Sequence, residues 1–206
     1  MKTQLCGLLG RRLEHSFSPQ IHAYLADYEY CLFTITPENV DDFIKNGIWD
    51  CLNVTIPYKE TVIPYLGEIS DEAIRIGSVN TIVKTPEGML KGHNTDYYGF
   101  AYLLNRSGIS VYGRKCVILG SGGSAKTVRC VLEDLGAQKI VTISRTGENN
   151  YGNIDRHADA DIIVNTTPVG MYPDTGKSTI RLAEFPQCSG VLDLIYNPAK
   201  TKLLLD

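Results

Sequence analysis

The sequence has 206 residues, 43% of them hydrophobic, and a formal net charge of −3. This length allows one large domain or two small ones, each with its own hydrophobic core. The weak negative charge gives no electrostatic reason to expect a nucleic-acid partner or an anionic membrane, and no apolar run reaches transmembrane length.

The six cysteines are scattered along the chain without a CxxC pair. Their spacing predicts no metal site, and a chain of this length does not need disulfides for its stability. We interpret them as mostly core thiols in a reducing compartment. The apolar run before Arg11 is too short for a signal peptide. Together these features predict a cytoplasmic protein.

The first half of the chain alternates short strands and helices. A helix is expected to begin at Ser18-Pro19, because proline fits the first turn, and a second helix is expected over 39–47, ended by Gly47. Strands are predicted at 2–10, 30–36 and 53–56, and a hairpin is predicted from 78–85 and 88–94.

The second half has a different pattern of predicted elements. A helix over 96–108, closed at Gly108, precedes a strand, glycine turn, helix and strand over 115–146. Two further buried strands are predicted at 159–167 and 190–196. This pattern predicts an α/β protein with a change of domain near 97–108. We therefore divide the chain into residues 1–98 and residues 99–206.

A glycine turn follows the first strand of that second half. It fits the pattern G-x-G-x-x-[G/A], and its residues are Gly120, Ser121, Gly122, Gly123, Ser124 and Ala125. Residues without side chains let the backbone approach a pyrophosphate, and the following helix N-terminus offers unpaired N–H groups. The turn therefore predicts dinucleotide binding; the alternative is a tight strand–helix turn that binds nothing.

The next strand ends in Ser144, Arg145 and Thr146. An NAD site would place a carboxylate there for the ribose hydroxyls, whereas arginine pairs with a 2′-phosphate. The sequence therefore predicts NADP(H) over NAD(H), unless Arg145 is only a solvated surface residue. A further strand is followed by Asn165, Thr166 and Thr167, which are candidates for cofactor contacts or for a capped turn.

Polar residues also gather at the ends of elements in the first half. Ser16 and Ser18 surround a turn, and Asn53 and Thr55 share one face of a short strand before Lys59. Asn80 is expected on a strand, and Asp96 at a strand end near the domain boundary. Singly, these residues fit turn chemistry, a solvated lysine and a helix cap. Together they favour a polar ligand site.

Seven motifs occur in an order and spacing that resemble the shikimate dehydrogenase family, from about residue 5 to the C-terminus. They are GLLG…HSFSP.IH, NVTIPYKE, GSVNTI, GHNTDYYGF, GSGGSAKTV, NTTPVGM and DLIYNP. The resemblance implies two α/β domains facing across a cleft, the first for substrate and the second a Rossmann-type domain for NADP(H). It also implies reversible reduction of 3-dehydroshikimate to shikimate with NADPH, in aromatic amino-acid biosynthesis.

The resemblance also implies roles for individual residues. Ser16 and Ser18 would bind the substrate carboxylate. Contacts to the ring hydroxyls and the reacting oxygen would come from Asn53, Thr55, Asn80 and Asp96. Lys59 would be the acid–base residue, oriented by Asp96. Tyr196 would lie beside the substrate, Leu194 beside the nicotinamide, and Asp71 would touch the cofactor.

The sequence departs from the family pattern in several places. Ala23 stands where relatives usually have asparagine, and Cys51-Leu52 where a glycine commonly precedes the strand. Relatives also continue beyond the equivalent of Asp206. This raises the alternative of a truncated, weakly active or inactive homologue that retains nucleotide binding, or one completed by another polypeptide. Exposed apolar surface on the first domain suggests a homodimer, and a different two-domain NADP dehydrogenase is the generic alternative.

Overall fold

The computed structural model describes residues 4–14, 16–25 and 27–206. It consists of two compact units that divide between Asp96 and Tyr97. Across the described ranges, no helix is both long and apolar enough to span a bilayer.

The first unit is built on a six-stranded mixed sheet. Its elements are β1 (Leu5–Gly10), α1 (Ser18–Leu25), β2 (Glu29–Thr34), α2 (Val40–Asn46), β3 (Cys51–Val54), β4 (Glu68–Ile69), α3 (Asp71–Ile76), β5 (Thr81–Lys84) and β6 (Leu90–His93). The strand order is β2-β1-β3-β5-β6-β4. Because only β5 runs antiparallel to its neighbours, β1, β3 and β6 end at the edge of the sheet where β5 begins.

One face of this sheet carries the core of the unit. Leu9, Leu52 and Ile82 point into it and pack with Trp49 and Tyr58, all at most 2% exposed. Side chains alternate across a strand, so the residues between them, including Asn53, face the other side. Asn53 and its register partner Thr81 thus lie on the second face.

Several predicted elements of the first unit need correction. The third strand ends at Val54, and Ile56 lies outside it with 76% of its surface exposed. Asn80 lies just before β5 rather than on a strand. Gly47 does end α2, but at φ −66°, not in the left-handed region. Sequence reasoning also missed β4 and α3, because elements this short carry almost no periodicity.

The second unit is built on a four-stranded parallel sheet with a hydrophobic core on each of its two faces. Its elements are α4 (Thr95–Ser107, whose first two residues belong to the first unit), β7 (Lys115–Leu119), α5 (Gly123–Asp134), β8 (Lys139–Ile143), β9 (Ile162–Asn165), β10 (Gly190–Asp193) and α6 (Lys202–Leu205). The strand order is β10-β9-β7-β8. The predicted strands at 159–167 and 190–196 are therefore real but shorter.

The central strand β7 is buried at every position. Cys116 and Ile118 belong to the core on the side of α4 and α5, while Val117 and Leu119 belong to the core on the opposite side. Burial on both faces is characteristic of parallel sheets in α/β proteins. The glycine turn thus follows a strand that is buried along its whole length.

Candidate active site

Lys59 is held in place by the turn that follows β3. The backbone N–H of Tyr58 donates to the Thr55 carbonyl at 2.9 Å, and the Lys59 carbonyl accepts from the Val79 N–H at 2.8 Å. The Tyr58 side chain, 1% exposed, donates its hydroxyl to the Ile35 carbonyl at 2.5 Å. A buried tyrosine therefore fixes the turn that carries Lys59.

The Lys59 ammonium pairs with Asp96. Nζ lies 2.5 Å from Oδ2, and the lysine side chain is 17% exposed while the aspartate is 42% exposed. Asp96 lies in the first turn of α4, directly after β6, and Lys59 follows β3. The common edge of the sheet thus brings together two residues that are 37 positions apart in the chain.

Asn80 forms the next part of this edge. Its Oδ1 accepts from the Thr95 backbone N–H at 2.8 Å, and its Nδ2 donates to the Thr95 hydroxyl at 3.0 Å. The Thr81 hydroxyl donates to the same Oδ1 at 3.0 Å. Because a backbone N–H can only donate, this contact fixes which end of the Asn80 amide is the oxygen.

Asn53 connects this edge to β2. The Tyr30 hydroxyl donates to Asn53 Oδ1 at 2.7 Å, and Asn53 Nδ2 donates to Thr81 Oγ1 at 3.4 Å. Burial raises the pKa of Tyr30 to about 12, and a hydrogen bond from Ser18 works in the opposite direction. Tyr30 is therefore a neutral donor throughout the physiological pH range.

The two candidate serines lie close together after β1. The Ser18 backbone N–H donates to Ser16 Oγ at 3.2 Å, and the Ser16 hydroxyl donates to Ser18 Oγ at 3.1 Å. Ser18 also bonds Tyr30, which bonds Asn53. A continuous set of hydrogen bonds thus runs from the serines to the amides, beside the Lys59–Asp96 pair.

The glycine turn of the second unit has the geometry that a phosphate cradle needs. Gly120 has φ +107°, and a Cβ there would lie 2.7 Å from the Thr166 hydroxyl oxygen. Gly122 precedes α5, and a Cβ there would meet nothing within 4 Å. The turn therefore demands glycine at its first position and leaves open space at its third, in front of a helix N-terminus.

The other residues of the turn differ in how much of their surface is exposed. Ala125 is 3% exposed and packs into the core, so it offers only its backbone to a ligand. Gly123 and Ser124 begin α5 and are partly buried, while Ser121 is exposed.

Arg145 follows β8, whose last residue, Ile143, pairs with Leu119 at the start of the glycine turn. Arg145 and Thr146 are exposed, and the Arg145 guanidinium makes no ion pair with any residue in the part of the chain that the structure describes. Ser144 is tied to the loop by its backbone N–H, which donates to the Asn149 carbonyl at 3.1 Å. Arg145 is thus a cation beside the glycine turn that is available for an anionic group.

The polar side chains at the end of β9 form hydrogen bonds within the second unit. Asn165 is 1% exposed, its Nδ2 donates to Asp193 at 3.0 Å, and its Oδ1 accepts from the Thr167 hydroxyl at 2.7 Å. The Thr166 hydroxyl donates to the Leu119 carbonyl at 2.7 Å. The capped-turn alternative therefore describes these three side chains, and a cofactor contact from them stays a prediction.

The remaining candidates are spread over both units. Leu194 packs against the core of the second unit and bonds the Asn165 carbonyl through its N–H at 3.1 Å. Tyr196 is 69% exposed in the same unit. Asp71 is exposed in the first turn of α3, in the first unit. Their predicted roles toward substrate and cofactor stay predictions.

The chain is similar to known proteins over nearly its whole length. The profile of the shikimate dehydrogenase substrate binding domain matches residues 8–82. A shikimate dehydrogenase (NADP(+)) of Clostridium beijerinckii is 38% identical, over 96% of this chain and 80% of the relative. The chain belongs to the shikimate dehydrogenase family. The predicted family is thereby confirmed.

Solved shikimate dehydrogenases have the same fold. Shikimate dehydrogenase 1 of Peptoclostridium difficile superposes with a TM-score of 0.89 at 37% identity, covering 98% of this chain and 82% of that one. The Thermus thermophilus enzyme, solved in complex with NADP(H) and shikimate, gives 0.84 at 28% identity, covering 98% and 83%. These likenesses confirm the predicted α/β fold of this shikimate dehydrogenase family member.

Two residues depart from the family pattern, and three further residues of the site were not predicted. Ala23 is exposed on α1, and Cys51 lies beside Cys6 on the neighbouring strand. Tyr30, Thr81 and Thr95 were not predicted as parts of the site. Tyr30 is embedded in an apolar strand, and its contact with Asn53 spans 23 positions, so no local pattern could have pointed to it.

Proposed function

We propose that this chain catalyses the reversible, NADPH-dependent reduction of 3-dehydroshikimate to shikimate, a step of aromatic amino-acid biosynthesis. The observation that carries this proposal is the Lys59–Asp96 pair at 2.5 Å, placed beside a hydrogen-bonded set of hydroxyls and amides. Its relatives, named shikimate dehydrogenase (NADP(+)), cover the chain almost completely. NADP is the cofactor that the names of these relatives give.

The proposed chemistry needs a proton donor at one oxygen. When a carbonyl carbon is reduced, negative charge develops on its oxygen, and a positioned acid lowers the barrier. Lys59, as an ammonium ion, donates its proton to that oxygen, and Asp96 holds the ammonium in position. In the reverse direction neutral Lys59 accepts the proton of the substrate hydroxyl.

The substrate contacts follow from the donors at the sheet edge. Ser16 and Ser18 offer small hydroxyls for the carboxylate, while Asn53, Thr55 and Asn80 offer amide and hydroxyl groups for the ring hydroxyls. Such groups suit a small polyhydroxylated acid. The two-serine pair and Arg145 favour shikimate and NADP(H) over quinate and NAD(H).

The cofactor would be held by the second unit. The open space at Gly122 and the positive φ of Gly120 fit a pyrophosphate approached by backbone N–H groups. Arg145 would pair with the 2′-phosphate. The nicotinamide, when bound, supplies the hydride; the protein's own residues bind it, orient it and manage the proton. We accordingly propose residues 1–98 as the substrate domain and 99–206 as the cofactor domain.

The test is NADP⁺ reduction in the presence of shikimate, followed by the absorbance of the reduced nicotinamide. We expect turnover by the 206-residue chain and a decrease in kcat of about 10²- to 10⁴-fold in Lys59→Ala, with little change in KM. Lys45→Ala is the matched control, because Lys45 also pairs with an aspartate but is 57% exposed. A folded chain that binds NADPH without turnover would instead support the nucleotide-binding homologue.

Location and assembly complete the proposal. A cytoplasmic location is supported by the biosynthetic role and by the six free cysteines, three of them buried. A homodimer is supported by α1, which exposes Ile21, Tyr24 and Leu25. Light scattering across a concentration series would show whether the chain is dimeric.

A further inference from the structure

Thr81 lies between the two asparagines of the candidate site. It is the first residue of β5, directly after Asn80, and its register partner on β3 is Asn53. Its hydroxyl oxygen lies 3.0 Å from Asn80 Oδ1 and 3.4 Å from Asn53 Nδ2. One small side chain thus contacts both of the amides that are proposed to bind the ring hydroxyls of the substrate.

The orientation of the Asn80 amide is set by the backbone. The Thr95 N–H lies 2.8 Å from Oδ1 and can only donate, so the atom that it meets is the carbonyl oxygen. The other end of the amide, Nδ2, donates to the Thr95 hydroxyl oxygen at 3.0 Å. Because Asn80 is only 8% exposed, the reversed amide would leave buried polar groups without partners, which is costly.

The Thr81 hydroxyl has a single hydrogen, and Asn80 determines where it points. Since Asn80 Oδ1 only accepts, the contact at 3.0 Å is a hydrogen bond only if Thr81 donates. The Thr95 hydroxyl oxygen is a second possible acceptor, but it is farther away, at 3.4 Å, and it already accepts from Asn80 Nδ2. Toward Asn53, the Thr81 oxygen therefore acts as an acceptor.

This assignment fixes the Asn53 amide in turn. The end of the amide that faces the Thr81 oxygen must be the donor, Nδ2, so the end that faces Tyr30 is Oδ1. The Tyr30 hydroxyl donates to that oxygen at 2.7 Å. A reversed Asn53 amide would place its oxygen against the Thr81 oxygen with no hydrogen between them. The direction of each bond in this set thus follows from one backbone N–H, and Thr81 connects the two amides.

The fixed orientation determines what Asn80 can offer to a ligand. Its oxygen already accepts from the Thr95 N–H and from the Thr81 hydroxyl, and the Thr95 hydroxyl lies 3.2 Å away as a third donor. An amide oxygen has two lone pairs, so no acceptor capacity is left for a substrate hydroxyl. One N–H of Nδ2 donates to Thr95, and the second N–H is the group that can donate to a substrate oxygen.

We propose that Thr81 is a positioning residue whose hydroxyl, by donating to Asn80 and accepting from Asn53, fixes both amides so that Asn80 meets the substrate as an N–H donor. The proposal rests on the proposed function, since it assigns both asparagines to the substrate. The substrate oxygen that Asn80 meets is then an acceptor, and a hydroxyl at that position directs its own hydrogen elsewhere.

The kinetic test compares two substitutions of Thr81. Thr81→Val keeps nearly the same shape but removes the hydroxyl. We expect the KM for shikimate to rise about threefold to tenfold, as for the loss of one hydrogen bond, with kcat and the KM for NADP⁺ changed less than about twofold. Thr81→Ser keeps the hydroxyl and should leave the KM for shikimate within about twofold of the wild-type value. An equal increase in both variants, or no increase in Thr81→Val, would overturn the proposal; circular dichroism checks that both variants are folded.

Thr142→Val is the matched control. Thr142 is also a partly exposed threonine on a strand, and its hydroxyl oxygen accepts from Arg129 at 2.9 Å. It lies in the second unit, so the loss of its hydroxyl should leave the KM for shikimate unchanged. An increase equal to that of Thr81→Val would show that the loss of any strand hydroxyl has this effect, and would overturn the positioning role.

A second measurement does not depend on turnover and so separates this proposal from the proposed function. Neutron diffraction from crystals of the deuterated wild-type protein locates the hydrogens of hydroxyl and amide groups. We expect the Thr81 hydroxyl deuterium to point at Asn80 Oδ1, and a deuterium of Asn53 Nδ2 to point at the Thr81 oxygen. A protein that shows this arrangement yet fails to oxidise shikimate would refute the proposed function alone. A Thr81 deuterium that points at Asn53 or at Thr95 would overturn the positioning role.

Discussion

The sharpest prediction concerns cofactor choice and a single exposed side chain. Replacing Arg145 by aspartate removes the cation proposed for the 2′-phosphate and introduces a carboxylate that can accept from a ribose hydroxyl. Because the Arg145 guanidinium makes no ion pair within the described residues, no internal ion pair is lost. The free energy of unfolding should therefore change by less than about 0.5 kcal/mol.

The effect on the cofactor follows from the energy of a charge-assisted hydrogen bond. Such a bond contributes about 1.5–3 kcal/mol, and each 1.4 kcal/mol is about tenfold in affinity. The site is exposed, so solvent screening favours the lower half of that range. We expect the KM for NADP⁺ to rise about tenfold to fortyfold in Arg145→Asp, further increased by repulsion of the phosphate, while the KM for NAD⁺ falls.

The assay compares kcat/KM for the two cofactors at saturating shikimate. Arg156→Asp is the matched control, because Arg156 is an exposed arginine in the same unit and the change in net charge is identical. A ratio of NADP⁺ to NAD⁺ activity that is the same in Arg145→Asp and in the wild-type protein would refute the reasoning. Equal effects of the two substitutions would show that net charge, and not Arg145, attracts the phosphate.

Three other predictions follow from the geometry. Gly120→Ala should destabilise the fold by about 1–3 kcal/mol, because φ is +107° and the new Cβ would lie 2.7 Å from a threonine oxygen. Gly122→Ala should instead weaken NADP⁺ binding without lowering Tm. The same loss of Tm in both variants would contradict this. Asn80→Ala should cost about 1–3 kcal/mol in urea unfolding and raise the KM for shikimate, since it removes four side-chain hydrogen bonds; an unchanged unfolding midpoint would count against it. Burial lowers the pKa of His157, so as the pH falls this histidine is protonated in the unfolded chain before it is protonated in the folded one. The free energy of unfolding should therefore decrease as pH drops below about 6.5. His157→Gln should make this decrease with pH less steep, and an identical pH dependence would exclude His157 as its source.

The second unit is the part that sequence reasoning predicted best. A fully buried strand, a glycine turn and a helix lie within 20 residues of one another, from Lys115 to Asp134, so local pattern and fold coincide. What the pattern could not supply was the use of each side chain. From the sequence, Thr166 and Thr167 are candidates for cofactor contacts, but their hydroxyls donate to the Leu119 carbonyl and to the Asn165 side chain.

The first unit was predicted mainly through motifs, and its physical organisation was not. Asn53, Asn80 and Asp96 were each candidates, but the reason they meet is that β5 runs against β3 and β6. A strand's direction depends on pairings between distant segments, and those carry no local signal. Asn80 was therefore expected on the strand, although it lies just before it.

Helix α1 shows most clearly why such a site resists prediction. Helical spacing of Ile21, Tyr24 and Leu25 indicates an apolar face and hence a buried one, yet all three are exposed. Ser18 and His22, on another face of the helix, contact Tyr30 of β2: Ser18 by a hydrogen bond and His22 by stacking its ring on the tyrosine ring. Hydrophobic periodicity predicts packing for stability, whereas these two side chains that contact β2 are polar.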